Sequence, residues 1–194
     1  MSEELQAIEI LEGNADWTAK QTACRTLRLK GTVKSVPVLA RLLNDAQMSQ
    51  FARYALEPMP YEAAGQALVA ALATTSGSVK VGIINSLGVR AEAGAVAELE
   101  AALTDADPAV VGAAAVALAR IGTRESTRPV IRLVRGGLPA GTGADVADAL
   151  LTIAASAAER GGRAEMTRRL LEALQGAAWP KHIREAATAG LQQL

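Results

Sequence analysis

DPAVVGAAAVALARIG, residues 107–122, reads as a helix with both of its ends written in. Asp107 is suited to capping, and Pro108 to the first helical position, where a missing N–H does no harm. Val110, Val111, Ala114, Val116, Ala117, Leu118 and Ile121 recur at helical spacing. Gly122 suits the left-handed turn that closes a helix. A second helix, residues 125–135, follows at once, and this pairing recurs along the chain.

Four units can be set in register: 16–44, 48–74, 76–103 and 107–135. The first helix of each, helix A, places Leu27, Leu56, Leu87 and Leu118 at steps of 29, 31 and 31 residues. The second, helix B, places Leu39, Leu68, Leu99 and Ile131 at steps of 29, 31 and 32. Ala23, Ala52, Ile83 and Ala114 form a third row on the same face as the leucines of helix A. Two independent ladders with one period mark a repeat array. Each helix pair alone leaves an apolar face in water, and stacking on the next pair buries it.

The expected organisation is one domain over residues 1–194. Residues 1–15 supply an N-terminal cap helix with Leu5, Ile8 and Leu11 on one side. Residues 16–136 hold the four regular repeats, and 137–176 a lengthened fifth. In the fifth, the Gly136–Gly143 stretch is a linker, and a long helix 144–160 turns at Gly161-Gly162 into a partner. Residues 177–194 form a terminal helix that repeats the helix A pattern. The glycines of 136–143 lack the Gly-Lys-Ser/Thr ending of a phosphate loop and the strand that precedes a dinucleotide fingerprint.

The chain is 50% hydrophobic but only 3% aromatic, so its core is built of Ala, Leu, Val and Ile. Twenty basic and twenty acidic residues cancel, which removes a general attraction to nucleic acid or anionic membranes. No apolar run reaches the ~18–20 residues that span a bilayer. The acidic N-terminus has no basic segment of a signal peptide, so the chain as it stands reads as cytoplasmic. A chain whose export signal had been removed would read the same.

This pattern resembles HEAT repeats. DPAVVGAAAVALARIG is similar to their first helix, and KGTVKSVPVLARLL, residues 30–43, to the turn and second helix. An early helix B proline, Pro37 in unit one and Pro129 in unit four, belongs to that likeness. ARYALEPMP and GIINSLGVR are similar to segments of a group of bacterial HEAT-repeat proteins of unassigned role. The resemblance implies an all-α, right-handed, armadillo-like α-solenoid of about five helical hairpins plus a terminal helix. It also implies a concave face lined by helix B, used most often to bind proteins, sometimes to act on DNA or to attach bilins.

Little in the sequence points to a reaction, and it assigns no catalytic residue, no cofactor and no metal. His182 is the single histidine and falls in the first turn of the last helix. Cys24, the lone cysteine, follows buried-row Ala23 and reads as a packed side chain, with Arg25 and Arg28 near enough to lower its pKa. Asp145 and Asp148 favour the start of a long helix. Basic residues concentrate in unit one and at Arg120, Arg124, Arg128, Arg132 and Arg135. Glu98 and Glu100 interrupt any continuous phosphate groove.

The predicted function is non-catalytic protein binding or scaffolding. Lys34, Arg41, Glu100, Arg128, Arg132 and Arg135 are the candidate contacts on helix B. Arg53, Tyr54 and Glu57 belong to the aromatic cluster of unit two, where Arg, Tyr and Met are interface-anchoring types. Asn85, polar in mid-helix and aligned with Tyr54, and Arg90, at the end of its helix, complete the candidates. Nucleic-acid binding through Arg124 to Arg135 and the basic residues of unit one is the first alternative, and a bilin-lyase-like role with Cys24 as a covalent handle the second. The identity of the protein partner and the oligomeric state stay open at this stage.

Overall fold

The computed structural model describes residues 2–159, 164–176 and 179–192, and among these every regular element is helical. The chain forms two compact units, Met1–Ala95 and Val96–Leu194. Gly161 and Gly162, the expected turn of the fifth hairpin, lie outside the described residues.

The first unit holds α1 (Glu3–Glu12), α2 (Trp17–Lys30), α3 (Val36–Leu42), α4 (Ser49–Leu56), α5 (Glu62–Leu72) and α6 (Gly77–Val89). Helices α2, α4 and α6 stack in sequence as one layer, and α3 packs on α5 as the other. The cap helix α1 covers α2 and is held by its own acid. Glu4 Oε1 accepts from Ser35 Oγ at 2.6 Å, Thr32 N at 2.7 Å and Thr32 Oγ1 at 2.8 Å. The Ser35 hydroxyl, then the Thr32 amide, hold this carboxyl below its ordinary value of 4.5.

The second unit holds α7 (Val96–Ala102), α8 (Pro108–Ile121), α9 (Arg124–Gly136), α10 (Gly143–Glu159), α11 (Ala164–Ala173) and α12 (Lys181–Leu191). Asp107 Oδ1 caps α8 by accepting from Ala109 N at 2.9 Å, and Gly122 closes it at φ 69°. Val110, Val111, Ala114, Ala115, Ala117 and Ala119 of α8 are buried, since α8 packs against α7, α9 and most extensively α10. The terminal helix α12 packs on α10 and α11 through Ile183 and Ala187. Residues 137–142 make a fixed turn. Gly137 and Gly141 take φ of 98° and 85°, and buried Thr142 donates its Oγ1 to Pro139 O at 2.8 Å.

The helix A ladder is buried throughout: Leu27, Leu56, Leu87 and Leu118 each have 0% exposure. The helix B ladder differs from the expected one at its last rung. Leu39, Leu68 and Leu99 are followed by Val130 at 0% exposure, whereas Ile131 is half-buried. The offset from the buried leucine of helix A to the buried residue of helix B is thus twelve in each of the four regular hairpins. What shifts is the place of the proline relative to that buried rung, because the helices begin differently. Helices α3 and α7 are entered through 3₁₀ turns, Val33–Ser35 and Ala93–Ala95. Helix α9 starts directly from Thr123, whose side chain accepts from Ser126 N at 3.1 Å. Pro37 is consequently exposed at the start of α3, while Pro129 is buried inside α9, so the two prolines are not equivalent.

Urea unfolding of two variants checks this register. Val130→Ala should lose about 2 kcal/mol, the transfer and cavity terms of two buried methyls. Ile131→Ala, though it removes more carbon, should lose about 1 kcal/mol or less, because that side chain is already partly in water. A ladder running through Ile131 would reverse the order.

Candidate partner-binding surface

Burial repeats so regularly that it also defines what each hairpin leaves uncovered. Two residues before and two after the buried helix B residue, the side chain is exposed every time. These positions are Pro37 and Arg41 on α3, Gln66 and Ala70 on α5, Ala97 and Ala101 on α7, and Arg128 and Arg132 on α9. In each unit two packed helices carry such positions side by side, α3 with α5 in the first and α7 with α9 in the second.

Within the first unit, Lys34 is exposed on the 3₁₀ turn before α3. Arg41 is exposed and pairs with Glu12 at 2.6 Å. Within the second unit, Arg132 reaches from α9 to Glu100 on α7, with Nη1 to Oε1 at 2.7 Å. Arg128 and Arg135 are exposed on α9. Both ion pairs are solvent-exposed, so each contributes little to stability and can be exchanged.

Arg53, Glu57 and Arg90 are drawn inward. Arg53 projects from α4 onto the backbone of α6, where Nη1 donates to Gly82 O at 2.9 Å and to Ser86 Oγ at 3.2 Å. A Cβ added at Gly82 would overlap this guanidinium, so the missing side chain is what admits it. Glu57 completes the group by accepting from Ser86 Oγ at 2.7 Å. Burial lowers the Arg53 pKa from its ordinary value, and Glu57 opposes that shift. Arg53 Nε is buried without a hydrogen-bond partner among the described residues.

Arg90 closes the end of α4. Its Nη1 donates to the carbonyls of Leu56, Glu57 and Met59 at 2.8, 2.9 and 2.7 Å, and its Nη2 to Tyr61 O at 3.4 Å. The carbonyls of Leu56 and Glu57 lie at the C-terminal end of α4, where a cation suits the helix dipole. Ala91 turns the chain at φ 50° and brings Glu92 back toward Arg90, Nε to Oε2 at 3.4 Å. Glu92 also lies where a Cβ at Gly65 would stand. Arg53, Glu57 and Arg90 therefore bind the first unit to itself.

Tyr54 and Asn85 are exposed on helices of the A layer, α4 and α6. The Arg28 guanidinium stacks on the Tyr54 ring at 3.7 Å and donates to Tyr54 O at 2.7 Å. Of the aromatic cluster, Met59 is buried, and Phe51 meets Trp17 edge-on with centroids 5.6 Å apart. Ser86, Gly82 and Glu92 were not singled out from sequence. A glycine inside a helical run was the one visible signal, and it does not say what fills the space.

Cys24 is 1% exposed, and burial pushes its thiol up to about 11. Its arginine neighbours do not lower it, so Cys24 is a packed side chain and not a ready nucleophile. His182 is exposed on α12. Asp145 lies against Gly112 of α8, where a Cβ would overlap its carboxylate, and Asp148 is exposed.

The HEAT repeats family matches residues 65–170, more than half of the chain. No functionally curated protein gives a match. An engineered protein solved by the Northeast Structural Genomics Consortium is 21% identical with a TM-score of 0.58, covering 99% of this chain and 96% of its own. A designed armadillo repeat protein in complex with the peptide (KR)4 is 22% identical with a TM-score of 0.56, covering 98% and 99%. Computationally designed armadillo repeat proteins for modular peptide recognition reach 22% identity and a TM-score of 0.51 over 96% and 98%. At these identities the likeness is one of fold: an all-α repeat solenoid.

Gly82→Ala should lower stability by ~1–3 kcal/mol, because displacing Arg53 leaves a buried charge without its acceptors. Ordinary helix propensity predicts the opposite sign, a gain of up to about 1 kcal/mol. Gly136→Ala, where a Cβ meets nothing within 4 Å, should show no such loss. In an Arg53→Ala background the Gly82→Ala loss should shrink or vanish, as read by a double-mutant cycle from urea unfolding.

Proposed function

The chain belongs to the HEAT-repeat family, and from that membership we propose that it is a non-catalytic protein-binding module that holds a segment of a partner on its helix B face. Solenoids of this class serve generally as protein-binding scaffolds. The observation that carries the reading is the recurrence of the same two uncovered positions on each of α3, α5, α7 and α9. They bear Arg41, Arg128 and Arg132 at some rungs and alanine at others. Charge interleaved with small residues leaves room for a backbone to lie close while side chains are gripped. That a designed armadillo repeat protein of the same fold was solved with a bound peptide supports an extended partner segment.

The second reading, phosphate-backbone binding, has one observation in its favour, the arginines of α9. Helix α9 carries four arginines against Glu125 alone. Glu98 and Glu100 on the adjacent α7 oppose a polyanion that offers a negative charge at every step.

Photo-crosslinking in the source cell tests the proposal. A benzophenone amino acid at exposed Ala70 or Ala101 should yield a protein adduct, and at exposed Thr22 or Asn85 in the A layer it should not. Adducts from the A-layer positions alone, or from no position, would contradict it.

A further inference from the structure

Resting on that reading, we infer that the α9 rung of the helix B face takes an acidic peptide, and that Glu100 is a resident stand-in for one of the peptide's carboxylates. Arg124, Arg128, Arg132 and Arg135 follow one another at intervals of four, four and three residues. That spacing keeps all four within about 80° of the helix circumference and along about 16 Å of its length. All four are exposed. Arg124, Arg128 and Arg135 have no ion-pair partner among the described residues. A row of unmatched guanidiniums on one helix face repels itself unless an anion is brought to it.

The neighbouring helix α7 supplies the rest. With the register set by Val130, Arg128 and Arg132 stand at the same rungs as Ala97 and Ala101. Both alanines are exposed, so beside the arginines there is open ground without side chains that would block a chain. From the same helix Glu100 meets Arg132 at 2.7 Å, showing that a carboxylate is the group this rung accepts. Side-chain exposures of 73% for Arg132 and 42% for Glu100 make the pair one that solvent or a competing carboxylate can open. An extended peptide of about five residues spans the row. It can set acids opposite Arg128, Arg132 and Arg135 and neutral residues opposite Glu98 and Glu100. A nucleic acid cannot skip its charges in this way.

Fluorescence anisotropy with the intact chain tests the inference, using labelled octapeptides of alternating Glu-Ser, alternating Lys-Arg and alternating Gly-Ser, and a labelled duplex DNA. The Glu-Ser peptide, which has neutral residues to set against Glu98 and Glu100, should bind most tightly and weaken with added salt. Arg128→Ala and Arg135→Ala should each weaken it several-fold. Glu100→Gln should tighten it by about two- to five-fold, the range an exposed ion pair of this kind is worth. Far-UV circular dichroism of each variant should match the parent. A Glu100→Gln affinity that is unchanged or weaker overturns the inference, as does tighter binding of the Lys-Arg peptide or of the duplex. Should crosslinks still form from Ala101 while the acidic peptide is not preferred, the inference fails and the protein-binding reading stands. Loss of the crosslinks along with all peptide binding removes both.

Discussion

Everything in this molecule depends on apolar faces that two helices cannot bury between themselves. A hairpin such as α8–α9 brings Leu118 and Val130 into contact with its own interior, yet α8 packs more extensively on α10 than on its own partner. Each fully buried leucine contributes ~1.5–3 kcal/mol relative to an exposed one, and most of that is realised only when a neighbour covers the face. The twelve-residue offset between the buried rungs of helices A and B is the register that lets successive hairpins repeat the same fit. What the fit leaves outside is equally regular, and so the exposed positions of helix B follow from the packing.

A second device operates where helices come closest. Three buried helical glycines, Gly65, Gly82 and Gly112, each receive a charged side chain from a neighbouring element: Glu92, Arg53 and Asp145 respectively. Alanine-rich packing is smooth and specifies orientation poorly, whereas a guanidinium on a backbone carbonyl requires one geometry. Arg90 does similar work at the end of α4, where four carbonyls converge on one cation. These groups carry the richest polar chemistry of the chain, and it is directed at the chain itself.

Much of the fold could be read from residues alone. The leucines of helix A, the Asp107 cap and the Gly122 turn all announce themselves by local rules and stand where those rules put them. The helix B register went astray at one rung, because Pro129 looks like Pro37 while the turn that enters α9 differs from the one that enters α3. The polar residues were harder. Arg53 and Arg132 are alike as letters, and only the glycine 29 residues away on α6 turns the first into an internal clamp while the second stays in water. That distinction belongs to packing between repeats, which periodicity counts but does not depict. Lys34, Arg41, Arg128 and Arg135 were legible as surface because their helix positions alone dictate it.

The central claim is that no hairpin is stable without its neighbours. Circular dichroism of the isolated hairpin, residues 107–136, against a longer peptide of residues 76–136, tests it most directly. The account predicts a largely unordered short peptide with no cooperative melt, and helix that rises per residue in the longer one. A short peptide that is already helical and melts cooperatively would contradict it.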